Sequence, residues 1–227
     1  MAVSDHKVWW CDPSPVRVKP FPIRPYFSDV DMENSRLQDM ASMSYALRTP
    51  APYPAEFIPD ELRWVAMSVP EKERDLPDAF LGSTGPPVIS EALRDVLAKF
   101  DLGSSQFLEC PLYDIKAKNK RGRNTADRSK QDPRRWFLLH ISEVRDVVLP
   151  EHSKSLFESA QHPGFFHTSE GENSVVALDR ERSLSGPPIW RDPKLNSVHF
   201  FNDAVKTEIE KRNLRTPALR FHPCVLI

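Results

Sequence analysis

Cysteine is scarce in this chain. Cys11, Cys110 and Cys224 are odd in number and far apart, and no CxxC pair occurs. That spacing argues against a disulfide framework and against a structural zinc site, and it points to reduced, buried thiols in a cytoplasmic setting. Long apolar runs are missing as well. None approaches the roughly 20 residues a bilayer span requires, so the chain reads as a non-membrane protein. Met1 to Trp10 place polar and charged side chains where the apolar stretch of a secretory signal would stand.

Glycine is the third scarcity, 7 residues against 22 prolines, and thirteen of those prolines precede Val88. Proline fixes φ and lacks a backbone donor, so these stretches are expected to be extended or irregular. Trp9, Trp10, Phe21, Ile23, Tyr26, Phe27, Tyr53, Phe57 and Ile58 give the same region apolar surface to bury. Residues 1–85 therefore read as a proline-rich lobe packed on a core formed by 86–227. A chain of 227 residues hides roughly 70% of its unfolded surface on folding, enough for a sizeable core.

Charge is present in balance but not in distribution. The formal net charge is -1, yet Lys116, Lys118, Lys120, Arg121, Arg123, Arg128, Lys130, Arg134 and Arg135 face only Asp127 and Asp132 in the same segment. That segment carries +7 and the rest of the chain -8. Like charges repel and resist packing, so the sequence predicts a solvated loop over 116–135, available to an acidic partner. Binding to nucleic acid would use the same loop, but no aromatic residue for base stacking occurs before Trp136. A second exposed stretch, His167 to Glu172, is acidic through Glu170 and Glu172.

Regular elements are clearest after Pro86. Ser90 is placed to cap a helix, Glu91 puts negative charge on its first turn, and Leu93, Val96, Leu97 and Phe100 follow the spacing of one buried face. Gly103 is positioned to end it. The β-formers of Gln106 to Tyr113 and of Arg135 to Ile141 predict an antiparallel pair connected by the basic loop. Ser174 to Asp179 and Leu219 to Phe221 read as further strands. A second helix is expected from Asn202, its cap, to about Asn213, burying Val205 and Ile209. Short helices, here 90–102 and 202–213, interleaved with short apolar runs and without a βαβ rhythm, predict an α+β fold: a largely antiparallel sheet flanked by a few helices.

Catalytic constellations are lacking too. No GxSxG elbow, HExxH helix, GxGxxG turn or P-loop occurs. His152, His162 and His167 fall in one stretch but have no cysteine or carboxylate at metal-ligand spacing. His140 and His199 stand in strand patterns and read as core or sheet-face histidines. Cys110 approaches His140 across the expected hairpin, yet a thiol inside an apolar strand is ordinarily inert. No catalytic, cofactor or metal residue is assigned, and the chain reads as a binding protein. A nucleic-acid module and an uncharacterised enzyme are the alternatives.

Several segments, taken in order, carry a resemblance. Leu76 to Leu81 and Pro87 to Leu97 give a Pro-Asp approach and an apolar-apolar-Ser-Glu entry into a helix. Ile189 to Leu195, containing Trp190, Asp192 and Pro193, then Phe200 to Ala204 and Leu219 to Cys224, form a closing trio. Together they resemble immunity protein family eleven, bacterial proteins encoded beside polymorphic toxins. The likeness covers about 76–224 and, more loosely, the opening strand Val8 to Asp12. It implies that the protein silences a cognate toxin domain by stoichiometric binding. Asn202 stands where the family places a serine cap, and the basic segment and His152 to Glu172 exceed the family core. The residues of the likeness read physically as structural: Ser90 a cap, Trp190 a core anchor, and Asp192 before Pro193 a turn former accepting backbone donors. Partner contact is expected on the exposed segments instead, at Lys118, Lys120, Arg121, Arg123, Arg128, Glu170 and Glu172.

Overall fold

The structure, a computed structural model, describes residues 8–11, 23–26, 63–66, 76–80, 87–118, 124–154, 156–160, 162–168, 174–195 and 198–227; for 23–26, 63–66, 113–118 and 124–130 it describes the backbone alone. The fold is α+β, and nine of the eleven strand pairings among these residues are antiparallel, as expected.

A five-stranded sheet forms the centre. It runs in the order β12 (Val176–Leu178), β15 (His222–Leu226), β1 (Val8–Cys11), β14 (His199–Asn202) and β13 (Ile189–Arg191). Strand β1 pairs with β14 at Val8↔Asn202 through Cys11↔His199, and with β15 at Trp9↔Pro223 and Trp10↔His222. At β13 and β14 both faces of this sheet are buried, which explains unbroken apolar runs such as Phe200-Phe201, whereas Pro223 and Val225 of β15 are exposed. Val8, Trp10, Trp190 and Phe200 join Val147, Val148, Val176 and Leu195 on one side. Cys11, Ile189 and Phe201 join Leu93, Leu97, Val205 and Ile209 on the other.

The second side is closed by two helices and a four-stranded sheet. That sheet has the order β4 (Ala79–Phe80), β5 (Val88–Ser90), β9 (Trp136–His140) and β6 (Gln106–Glu109). The expected antiparallel pair is present, running from Gln106↔His140 to Glu109↔Phe137. Helix α1 spans Glu91–Leu97, and its cap Ser90 accepts the Leu93 N–H on its side-chain oxygen at 3.2 Å. It stops earlier than the predicted 102, because Lys99 and Phe100 turn back onto the carbonyls of Val96 and Leu97 in tighter steps. Gly103 then takes φ +61°, with the Glu143 carboxylate occupying the space a side chain would need. A short helix α2 spans Arg180–Ser183 and is capped by Asp179. Helix α3 is Asp203–Lys211, capped by Asn202, which accepts the Val205 N–H at 3.0 Å. It buries Val205 and Ile209 as predicted.

Two strand expectations are corrected. The last strand is His222–Leu226 and not Leu219 to Phe221: Leu219 closes a turn by donating to the Thr216 carbonyl at 2.8 Å. Pro223 is tolerated near its start because pairing with β12 begins only at Cys224. The segment 116–135 is also not a loop. It is largely taken up by β7 (Leu112–Lys118) and β8 (Asn124–Gln131), an antiparallel hairpin that completes a second four-stranded sheet in the order β2 (Ile23–Tyr26), β3 (Arg63–Ala66), β7, β8. The alternation of Tyr113, Ile115 and Ala117 with Asp114, Lys116 and Lys118 in the sequence is the period of a strand. Pro111 separates this strand from β6.

Candidate partner-docking surface

The basic hairpin is built outward from the core. Strand β3 pairs with β7 at Leu112, Tyr113 and Asp114, whereas the ladder between β7 and β8 runs on to Lys118↔Asn124. Register shifts between Tyr113 and Asp114 and between Ile115 and Ala117 bend it along the way. Lys118 therefore stands at the far end of β7 and Arg128 within β8, the edge strand of its sheet. Lys120, Arg121 and Arg123 lie in the connection 119–123, outside the described residues, as do Glu170 and Glu172.

Two of the nine basic residues are already engaged at the base of the hairpin. Arg134 donates to both oxygens of Asp132, at 3.0 and 2.9 Å, and lies 4.8 Å above the Trp136 ring. Arg135 grips Glu109 through two nitrogens at 2.9 and 2.8 Å and reaches Glu91 at 2.8 Å. The Arg135 hydrogen bond holds the Glu109 carboxyl below its ordinary value. These pairs are half-exposed and contribute little to stability. Their effect is local: they take up the charge of Arg134 and Arg135 at the base of the hairpin.

The residues of the family likeness are built into the frame. Ser90 Oγ donates to Asp78 Oδ1 at 2.7 Å, and Asp78 Oδ2 accepts the Arg215 N–H at 2.9 Å, tying β4, α1 and the approach to β15 together. Trp190 is fully buried, stacked on Phe200 with centroids 5.6 Å apart, and the Arg145 guanidinium lies 4.3 Å from its ring. Arg145 also donates to the carbonyls of Ser183 and Pro187. Asp192 is buried and gathers three backbone N–H groups, of Val147, Val148 and Lys194. Pro193 stands in the turn that this carboxylate organises. All four thus serve the fold, as their residue types imply.

All three cysteines are buried and outside any disulfide, and burial pushes the thiols of Cys110 and Cys224 well above the ordinary value, so neither is an activated nucleophile. His140 and His199 are buried. Burial first, then the neighbouring Arg191 and His140, push His199 down to about 3, and burial lowers Arg191 to about 10. Among the described residues, no group of three or more His, Cys, Asp or Glu side chains is placed to hold a metal ion, and no helix is long and apolar enough to cross a membrane.

Sequence reasoning missed one exposed feature. The stretch His152 to Glu172 contains a two-stranded ribbon, β10 (Leu156–Glu158) paired with β11 (Phe166–Thr168), from which Phe157 and Phe165 project. Only the alternation of apolar and polar types over a few residues marked it, too short a run to separate strand from loop. No protein-family model matches the chain, and no curated protein matches it.

Proposed function

We propose that this protein is an immunity protein that neutralises a cognate toxin domain by stoichiometric binding, without turnover. The observation that carries the reading is the basic hairpin. Four of its basic residues, Lys116, Lys118, Arg128 and Lys130, stand on paired strands at a sheet edge, the β7–β8 ladder extends beyond that with β3, and the segment is opposite in sign to the rest of the chain. A charged surface on a fixed backbone steers an oppositely charged partner and speeds association. The ordered resemblance over 76–224 supplies the kind of partner, a toxin encoded beside the gene. Cytoplasmic residence is part of the same proposal, since the toxin acts on the cell that makes both.

Co-expression with the toxin domain encoded next door tests it. The expected result is a 1:1 complex that survives purification and abolishes toxicity, with an interface of standard size, about 1,600 Å² in total. Rescue without a complex would sink the reading. The alternative, a nucleic-acid module using the same basic segment, lacks an aromatic for base stacking before Trp136 and would instead bind oligonucleotides with affinity falling steeply as salt rises.

A further inference from the structure

The ribbon of β10 and β11 turns different chemistry to its two sides. Leu156 and Phe166 pack against the cluster containing Trp10, Trp190 and Phe200, and Thr168 is buried. The alternate positions face away from it. Phe157 and Phe165 are 60% and 48% exposed, and His167, the register partner of Phe157, is exposed beside them. His162 meets the Phe165 ring edge-on, with centroids 6.3 Å apart.

These rings stand on a fixed backbone. The Phe166 N–H donates to the Lys194 carbonyl at 2.7 Å, and the Ser159 N–H to the Phe165 carbonyl at 2.7 Å. The Glu158 carboxylate accepts the Gly164 N–H at 2.8 Å and so closes the turn, where Gly164 takes φ +83°. Aromatic side chains held rigidly in water forgo a large burial, and aromatics in such positions are the anchors of protein interfaces.

Charge selects the partner. From Glu151 to Glu172 the sequence carries Glu151, Glu158, Glu170 and Glu172 against Lys154 alone, the reverse of the hairpin. Ring faces attract guanidinium and ammonium groups, and the molecule uses this repeatedly: Arg94 and Arg135 over Phe137, Arg134 over Trp136, Lys206 over Trp9. We propose that the outward face of the ribbon, Phe157, Phe165 and His167, is a docking surface for an arginine- or lysine-rich protein segment. It is separate from the basic hairpin, whose charge calls for an acidic partner surface.

The full-length chain is titrated, by fluorescence anisotropy, into a labelled fourteen-residue peptide of alternating Arg and Leu, and separately into its Glu-Leu counterpart. Cosedimentation with phosphatidylglycerol vesicles is measured alongside. The expected result is saturable binding of the Arg-Leu peptide alone. Phe157→Ser combined with Phe165→Ser should weaken it at least tenfold on the anisotropy titration, with circular dichroism and melting temperature unchanged. Phe157→Ser alone, which leaves the Glu158–Gly164 turn in place, should weaken it several-fold. No binding of the Arg-Leu peptide, equal binding of the Glu-Leu peptide, unaltered binding by folded variants, or preference for the vesicles would each overturn the proposal.

Discussion

One oxygen of Asp192 holds Val148: the Val148 N–H donates to Asp192 Oδ2 at 2.7 Å, and the adjacent Val147 N–H reaches the same atom at 2.7 Å. The carboxyl is buried, which raises its proton affinity, while the amides and Lys194 act in the opposite sense. Through this contact the loop after β13 fixes the segment that lines one face of the central sheet.

Removing that acceptor leaves two buried amides without their partner. Asp192→Ala is therefore expected to cost about 3 kcal/mol, at 1–3 kcal/mol for each buried group left unsatisfied. Asp192→Asn, which keeps one acceptor oxygen, should cost roughly half as much. Urea unfolding checks both through the midpoint at unchanged slope. An alanine variant within about 0.5 kcal/mol of the parent would show that the contact is dispensable.

Ser90 has two tasks, capping α1 and donating to Asp78. Ser90→Ala should lose about 1–2 kcal/mol from the cap. Because Asp78 also holds the Arg215 N–H, the two residues should be coupled: a Ser90/Asp78 double-mutant cycle is expected to give at least about 0.5 kcal/mol of interaction. Strict additivity would mean that the bridge carries no energy.

Both capped helices were legible because their information is local. Ser90 and Asn202 stand immediately before the apolar spacing they cap, and no distant residue is needed to interpret them. The hairpin reads as a loop in the sequence for the opposite reason. Its lysines satisfy a charge-run pattern and a strand pattern at once, and only pairing with residues 63–66 decides between them. Strand β1 is the extreme case. Its partners lie near residues 200 and 223, so nothing beside Trp10 in the chain foretells a place at the centre of the main sheet. The proposed docking surface is half legible in the sequence. Charge composition marked 116–135, but that Arg134 and Arg135 are taken up by Asp132, Glu109 and Glu91 is a tertiary fact, as is the exposure of Phe157 and Phe165.

Acid sensitivity should trace to His199. An unfolded imidazole protonates near 6.5, whereas in the fold burial and the nearby Arg191 and His140 push His199 down to about 3. Between those values the unfolded chain binds more protons, so stability rises with pH. This contribution is fully present above the unfolded value and is lost as the pH falls through 6.5 toward 3. A single such group supplies a slope of up to about 1.4 kcal/mol per pH unit. Urea midpoints taken across the acid range should fall steeply for the parent and less steeply for His199→Gln; identical slopes would assign the effect elsewhere.

The most direct test of binding as the protein's proposed function is the association rate with a toxin domain encoded beside the gene, followed by stopped flow across a salt series. The account predicts fast 1:1 association that slows as salt rises. Reversal of Lys120, Arg121 and Arg123 to glutamate should slow it roughly tenfold or more and flatten its salt dependence, because steering is lost while the contacts that set dissociation remain. Full protection of cells by a chain that shows no association with the toxin at any salt concentration would contradict it.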